Sequence, residues 1–204
     1  MRPSVKICGL MREEDVCMCT RHGADMLGFV VDYPKPVPWN LSVAEAAPLM
    51  AACKAKTCVI TDGSVAKILE LARALRPDFM QLHHCGAALC NELRSLGVGV
   101  IATLHPGRTD LETTAAELCT AGVHALLLDP RDAANGGEVD LTAYKKLNAA
   151  ANCPVVLAGG ITPKNVREII RQVQPPMIDL MTGIEQSPGI KDEAKVIALF
   201  RALM

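Results

Sequence analysis

Cys8 closes an apolar run, Val5-Lys6-Ile7, directly before Gly9, and it is the first residue in the chain with chemistry to offer. Such a thiol can act as a base, or it can be inert, because free cysteine packs as a small hydrophobe. Asp129 ends another apolar run and supplies a carboxyl, and Asp179 lies inside a third. A thiol and a carboxyl facing one pocket form a base-and-acid pair able to move a proton between adjacent carbons. Two glycine turns, Gly159-Gly160 and Thr182-Gly183, follow the last two apolar runs. A backbone without side chains can approach a phosphate closely and hold it through N–H groups; the plainer alternative is that both are simply tight turns.

These residues need elements to bring them together. Eight stretches read as strands, at 4–8, 25–31, 57–61, 79–82, 99–104, 123–129, 154–158 and 177–181. Each is followed by a helical stretch, at 12–22, 43–53, 65–75, 87–96, 109–120, 140–150, 163–173 and 192–203. Ser42 and Ser64 suit helix N-caps, and Pro163 suits a first helical turn. Residues 32–41 hold three prolines and the only tryptophan, and read as a loop. Strict alternation of strand and helix requires a parallel sheet, and eight units is the count that closes a barrel.

The fold expected is therefore an α/β single-domain (β/α)8 TIM barrel over residues 1–204. An open doubly wound sheet is the competitor, disfavoured by eight such even units. In a closed barrel the C-terminal strand ends share one mouth. Alternation puts Lys6 with Cys8 on one face, Val123, Ala125, Leu127 and Asp129 on another, and Met177, Asp179 and Met181 on a third. Glycine turns after strands seven and eight are the usual phosphate position in such barrels.

Half of the 204 residues are hydrophobic, 21% are charged and 3% aromatic, so the core must be aliphatic. A net charge of −1 gives no electrostatic reason to expect nucleic acid or an anionic membrane as partner. No apolar run approaches the ~20 residues of a membrane span. The nine cysteines are odd in number, mostly inside apolar runs, and follow no targeting segment. That pattern predicts reduced thiols and a cytoplasmic protein.

With these residues in view, the chain resembles the phosphoribosylanthranilate isomerase family of tryptophan biosynthesis. The likeness is carried by Val5-Lys6-Ile7-Cys8-Gly9-Leu10, Gly23-Ala24-Asp25 with Gly28-Phe29-Val30, Gln81-Leu82-His83 and Leu128-Asp129. It continues through Leu157-Ala158-Gly159-Gly160-Ile161-Thr162-Pro163 and Asp179-Leu180-Met181-Thr182-Gly183-Ile184-Glu185 to Pro188-Gly189. The resemblance implies an aldose–ketose isomerase running an Amadori rearrangement without cofactor or metal. It implies Cys8 as general base, Asp129 as general acid, and the two glycine turns as holders of the substrate phosphate; Asp179, placed by alternation, and His83, structural or lining the mouth, are the further substrate-side candidates. A thiol of pKa ~8.5 needs a nearby cation to serve as a base at neutral pH, and Lys6 is the candidate.

Two loops depart from the family pattern. The loop after strand two, 33–40, lacks the usual arginine that meets the anthranilate carboxylate, and the loop after strand six lacks its usual lysine and aromatics. Lys35, Arg108 and Arg131 are the cations left to take the carboxylate, with Arg131 the first choice. The alternatives are a diverged paralogue acting on another phosphorylated amino sugar, a non-catalytic phosphosugar-binding barrel, and a metal-dependent pentose-phosphate epimerase. The oligomeric state expected is monomer or homodimer.

Overall fold

The computed structural model describes residues 2–107, 109–130 and 137–204. Eight parallel strands close on one another: β1 Ser4–Ile7, β2 Met26–Val31, β3 Lys56–Thr61, β4 Phe79–Leu82, β5 Gly99–Leu104, β6 Ala125–Leu128, β7 Val155–Ala158 and β8 Met177–Leu180. Strand β1 pairs with β2 on one side and with β8 on the other, which makes the sheet a barrel. The open-sheet competitor is thereby excluded.

Helices α1 Glu13–Arg21, α2 Val43–Ala52, α3 Val65–Leu75, α4 Ala87–Ser95, α5 Leu111–Thr120, α6 Leu141–Ala150, α7 Val166–Val173 and α8 Glu193–Leu203 follow the strands in turn. None of the described helices is long and apolar enough to cross a membrane.

Period-two alternation sorts the strand residues into two cores. Val5, Ile7, Leu27, Phe29, Val59, Leu126, Leu157 and Ile178 point outward and pack under the helices. Burying each large side chain of this kind contributes ~1.5–3 kcal/mol. Met26, Val30, Cys58, Ile60, Ile101, Ala125, Leu127, Val156 and Ala158 fill the barrel interior together with Cys8. Val123, expected to share the inward face of strand six, instead precedes β6 and packs in the outer core.

Several boundaries differ from the sequence reading, each for a local reason. Cys8 and Asp129 stand one residue beyond β1 and β6, yet their N–H groups still donate to Leu180 O (2.8 Å) and Leu104 O (2.9 Å), so both remain tied to the ladder. Helix α7 starts at Val166, not at Pro163. Asn165 accepts from Thr162 N and donates to Gly160 O, and this turn occupies the expected first helical turn. The 32–41 loop ends in a two-residue strand, Asn40–Leu41, parallel to β2. Between β8 and α8 a small antiparallel hairpin pairs Glu185–Ser187 with Ile190–Lys191.

Ser42 caps α2 in a reciprocal box with Glu45, and Ser64 caps α3 through Lys67 N, as the sequence predicts. The thiol reading needs correction: Cys119, in α5, and Cys153, before β7, form a disulfide. Their Cα atoms lie 5.8 Å apart, within bridging range, a proximity set by packing across 34 residues of sequence. The other seven cysteines are free.

Candidate active site

At the C-terminal mouth of the barrel lies a cavity of about 420 Å³. Its wall brings together Cys8, Asp129, Gly159, Gly160, Asp179, Thr182 and Gly183, seven of the residues predicted for the site.

Cys8 owes its place to two glycines. Gly9 follows with φ +73°, turning the chain out of β1. Gly28, facing Cys8 on β2, leaves room for the thiol: a Cβ there would stand 3.1 Å from Cys8 Sγ and 3.2 Å from Cys8 Cα. Burial pushes the Cys8 thiol above its ordinary pKa. Lys6 acts in the opposite direction, as expected, but does not win. The expectation that Lys6 makes Cys8 a ready base in the resting site is therefore corrected.

The reason is that Lys6 is already engaged. Its side chain is completely buried, and Nζ stands 2.8 Å from Asp179 Oδ2. Burial alone would lower the Lys6 pKa, but the Asp179 charge and hydrogen bond, together with the neighbouring Cys8 and Cys58, outweigh it and hold the ammonium above the usual lysine range. Burial likewise raises Asp179, and Lys6 offsets part of that rise. Asp179 thus neutralises the cation that the thiol would need.

Oxygens on two residues of the cavity wall remain unpaired. Asp179 Oδ1 and Gln81 Oε1 are buried and receive no hydrogen bond from any described residue. A buried polar atom left this way costs ~1–3 kcal/mol, so both are poised to accept from ligand hydroxyls. Gln81 did not stand out as a site residue in the sequence. The signal was available, since it is a polar side chain at an inward position of β4, in register with Ile60 and Ile101.

At the edge formed by the β7 and β8 turns the backbone itself forms the wall. Gly159 (φ +89°) and Gly160 (φ +57°) both adopt left-handed conformations. A Cβ on Gly160 would approach Gly137 O and Glu138 Cα at 3.0 Å, and one on Gly183 would collide with Ile161 O. The β7 and β8 turns therefore pack against each other, and Gly160 also seats the segment after β6.

His83 stands at the rim. It stacks on His105 (ring centroids 5.5 Å apart, planes at 11°) and meets Tyr33 edge-on at 5.9 Å. His105 Nδ1 lies 2.7 Å from Asp129 O, so it donates there and ties this aromatic row to the Asp129 backbone. His83 is not among the described residues lining the cavity, and neither is Lys35, which is exposed. Arg131 and Arg108 lie outside the described residues. The wall contributed by the loop after β2 is instead Tyr33, Val37 and Trp39. No described cluster of three or more His, Cys, Asp or Glu side chains has the arrangement of a metal site.

Residues 5–202 match the family model described as N-(5'-phosphoribosyl)anthranilate (PRA) isomerase. The chain belongs to the N-(5'-phosphoribosyl)anthranilate isomerase family. The isomerase of Haloferax volcanii is 38% identical, the alignment covering 97% of this chain and 91% of that protein. The phosphoribosyl anthranilate isomerase structure from Thermotoga maritima superposes with a TM-score of 0.84 at 26% identity, covering 98% of each chain. A phosphoribosyl anthranilate isomerase in complex with reduced 1-(o-carboxyphenylamino)-1-deoxyribulose 5-phosphate superposes at 0.82, with 26% identity and 98% of each chain covered.

Proposed function

We propose that this chain converts N-(5'-phosphoribosyl)anthranilate to its 1-deoxyribulose phosphate isomer, a step of tryptophan biosynthesis. The observation that carries the residue assignment is one cavity with Cys8 and Asp129 in its wall and two glycine turns at its β7 and β8 edge.

In this reading the phosphate is held at Gly159-Gly160 and Thr182-Gly183, and the pentose hydroxyls donate to Asp179 Oδ1 and Gln81 Oε1. Asp129 protonates the ribose ring oxygen, the C1–O bond breaks, and the anilino nitrogen's lone pair forms a C1=N iminium. Cys8 then removes the proton from C2. The C2–H electrons form C1=C2 while the iminium π pair returns to nitrogen. The resulting enolamine takes a proton at C1 and gives up its hydroxyl proton to become the C2 ketone. The iminium is the electron sink, so the chemistry requires no cofactor.

The raised thiol pKa fits this sequence of events. Lys6 is neutralised by Asp179, so the positive charge that turns Cys8 into a base is the iminium itself, formed against the thiol after ring opening. Cys8 is thus a weak base at rest and a competent one only once the sugar has opened. Conversion in D2O tests the reading: the product should carry deuterium at C1. A protein that binds pentose phosphates but leaves this substrate unchanged would instead be a paralogue for another amine.

The proposed compartment is the cytoplasm; seven of the nine cysteines are free, and the Cys119–Cys153 bridge is the exception to the reduced pattern expected there. The proposed state is a monomer or a homodimer. Gel filtration distinguishes the two.

A further inference from the structure

We propose that Trp39 is the residue on which the substrate's aromatic group packs, with the buried Glu185 carboxylate holding the indole in place. This rests on the isomerase reading above and goes beyond it by naming the contact that selects an aryl amine.

The carbon that loses its proton adjoins the carbon bearing the arylamine. The described aromatic side chains lining the cavity are Tyr33 and Trp39, both in the loop after β2, and this wall is therefore assigned to the aryl group. That wall consists of Tyr33, Val37 and Trp39, and residues 32–41 contain no arginine. Trp39 reaches close to the thiol's neighbour, because a Cβ on Gly9 would stand only 3.0 Å from Trp39 Cδ1. The missing side chain at Gly9 admits the indole.

The second observation is how the ring is held. Trp39 Nε1 donates to Glu185 Oε1 at 3.0 Å, and the same oxygen accepts from Lys191 Nζ at 2.8 Å and Gly189 N at 3.2 Å. The Glu185 and Lys191 side chains are only 5% and 0% exposed. Burying two charges carries a desolvation penalty, and here the ion pair stands behind one indole N–H. Any half-buried indole N–H needs an acceptor; here the acceptor is a buried, ion-paired carboxylate, which fixes the ring's orientation. An immobilised aromatic has little entropy left to lose on binding. Glu185 is accordingly a positioning residue.

Calorimetry on the full chain tests this with two probes, reduced 1-(o-carboxyphenylamino)-1-deoxyribulose 5-phosphate and ribulose 5-phosphate, which lacks the aryl group. Trp39→Leu should weaken the aryl probe ~3–10-fold and leave ribulose 5-phosphate unchanged, while Trp39→Phe retains most of the affinity. Trp39 is the only tryptophan. Wild-type emission should therefore shift with the aryl probe and not with ribulose 5-phosphate, a readout that survives even if Trp39→Leu fails to fold. Glu185→Leu combined with Lys191→Met removes both charges at similar volume; it should shift the emission and weaken only the aryl probe. Equal loss of both probes in Trp39→Leu, or no loss of the aryl probe, overturns the proposal alone. A wild-type protein that binds ribulose 5-phosphate but not the aryl probe overturns the isomerase reading, and this proposal with it.

Discussion

Lys6 and Asp179 are register partners across the β1–β8 seam where the barrel closes, and their side chains meet inside it at 2.8 Å. One contact therefore both joins the first strand to the last and sets the charge beneath Cys8. Lys6→Met leaves a buried carboxylate without its cation and should cost ~3–5 kcal/mol, whereas adding Asp179→Leu should restore most of that, both read by urea unfolding. The raised Lys6 pKa fixes the sign of the pH dependence. Its contribution is full below the unfolded value of ~10.4 and is lost only as pH rises through the folded value, so it adds no slope near neutrality.

Cys8→Ser and Asp129→Asn should each lower turnover ~10²-fold or more while leaving thermal unfolding and ribulose 5-phosphate affinity nearly unchanged. Single-turnover assays distinguish the two: each removes a different proton transfer. Wild-type rates in either variant would refute the assignment.

Burial raises the Cys8 pKa, so the resting thiol is protonated at neutral pH. Iodoacetamide should therefore label the exposed Cys17 before Cys8 at neutral pH, with Cys8 labelling accelerating as pH climbs into the alkaline range. Peptide mapping by mass spectrometry after timed labelling reads both sites. Faster labelling of Cys8 than of Cys17 would mean that the free site already holds a thiolate.

Gly160→Ala should weaken ribulose 5-phosphate more than it weakens an unphosphorylated pentulose, because the added carbon sits at the proposed phosphate end of the cavity. It should also cost ~1–3 kcal/mol of stability, since the position has φ +57° and a Cβ would press on Gly137 O and Glu138 Cα at 3.0 Å. Equal weakening of both ligands would assign the glycine to the turn alone.

Alkylation of the denatured protein without reductant should modify seven cysteines, and after reduction nine. Removing the bridge with Cys153→Ser should lower stability by ~2–4 kcal/mol, the scale for a closed loop of this length. Nine alkylated thiols without reductant would mean the pair is open in solution.

Much of the architecture was legible in the sequence because its signals are local. Period-two apolar runs, serine caps and glycine or proline breaks mark eight strand–helix units, and eight such units close. Cys8, Asp129 and the glycine turns could then be placed at one mouth by counting residues. Gln81 was equally local, an inward polar position, but it gained meaning only when its oxygen was found buried without a partner.

What only the tertiary structure decided involves partners far apart in the chain or the balance between burial and charge. Lys6 meets a carboxylate 173 positions away, and Trp39 meets one 146 positions away. Cys119 finds Cys153 through packing. The sign of the Cys8 shift depends on how much burial outweighs a lysine already neutralised by Asp179. Sequence pattern constrains which way a side chain points, because alternation is a property of a few consecutive residues. Which charge lies opposite it, and how much water is left between them, follows from closing the barrel.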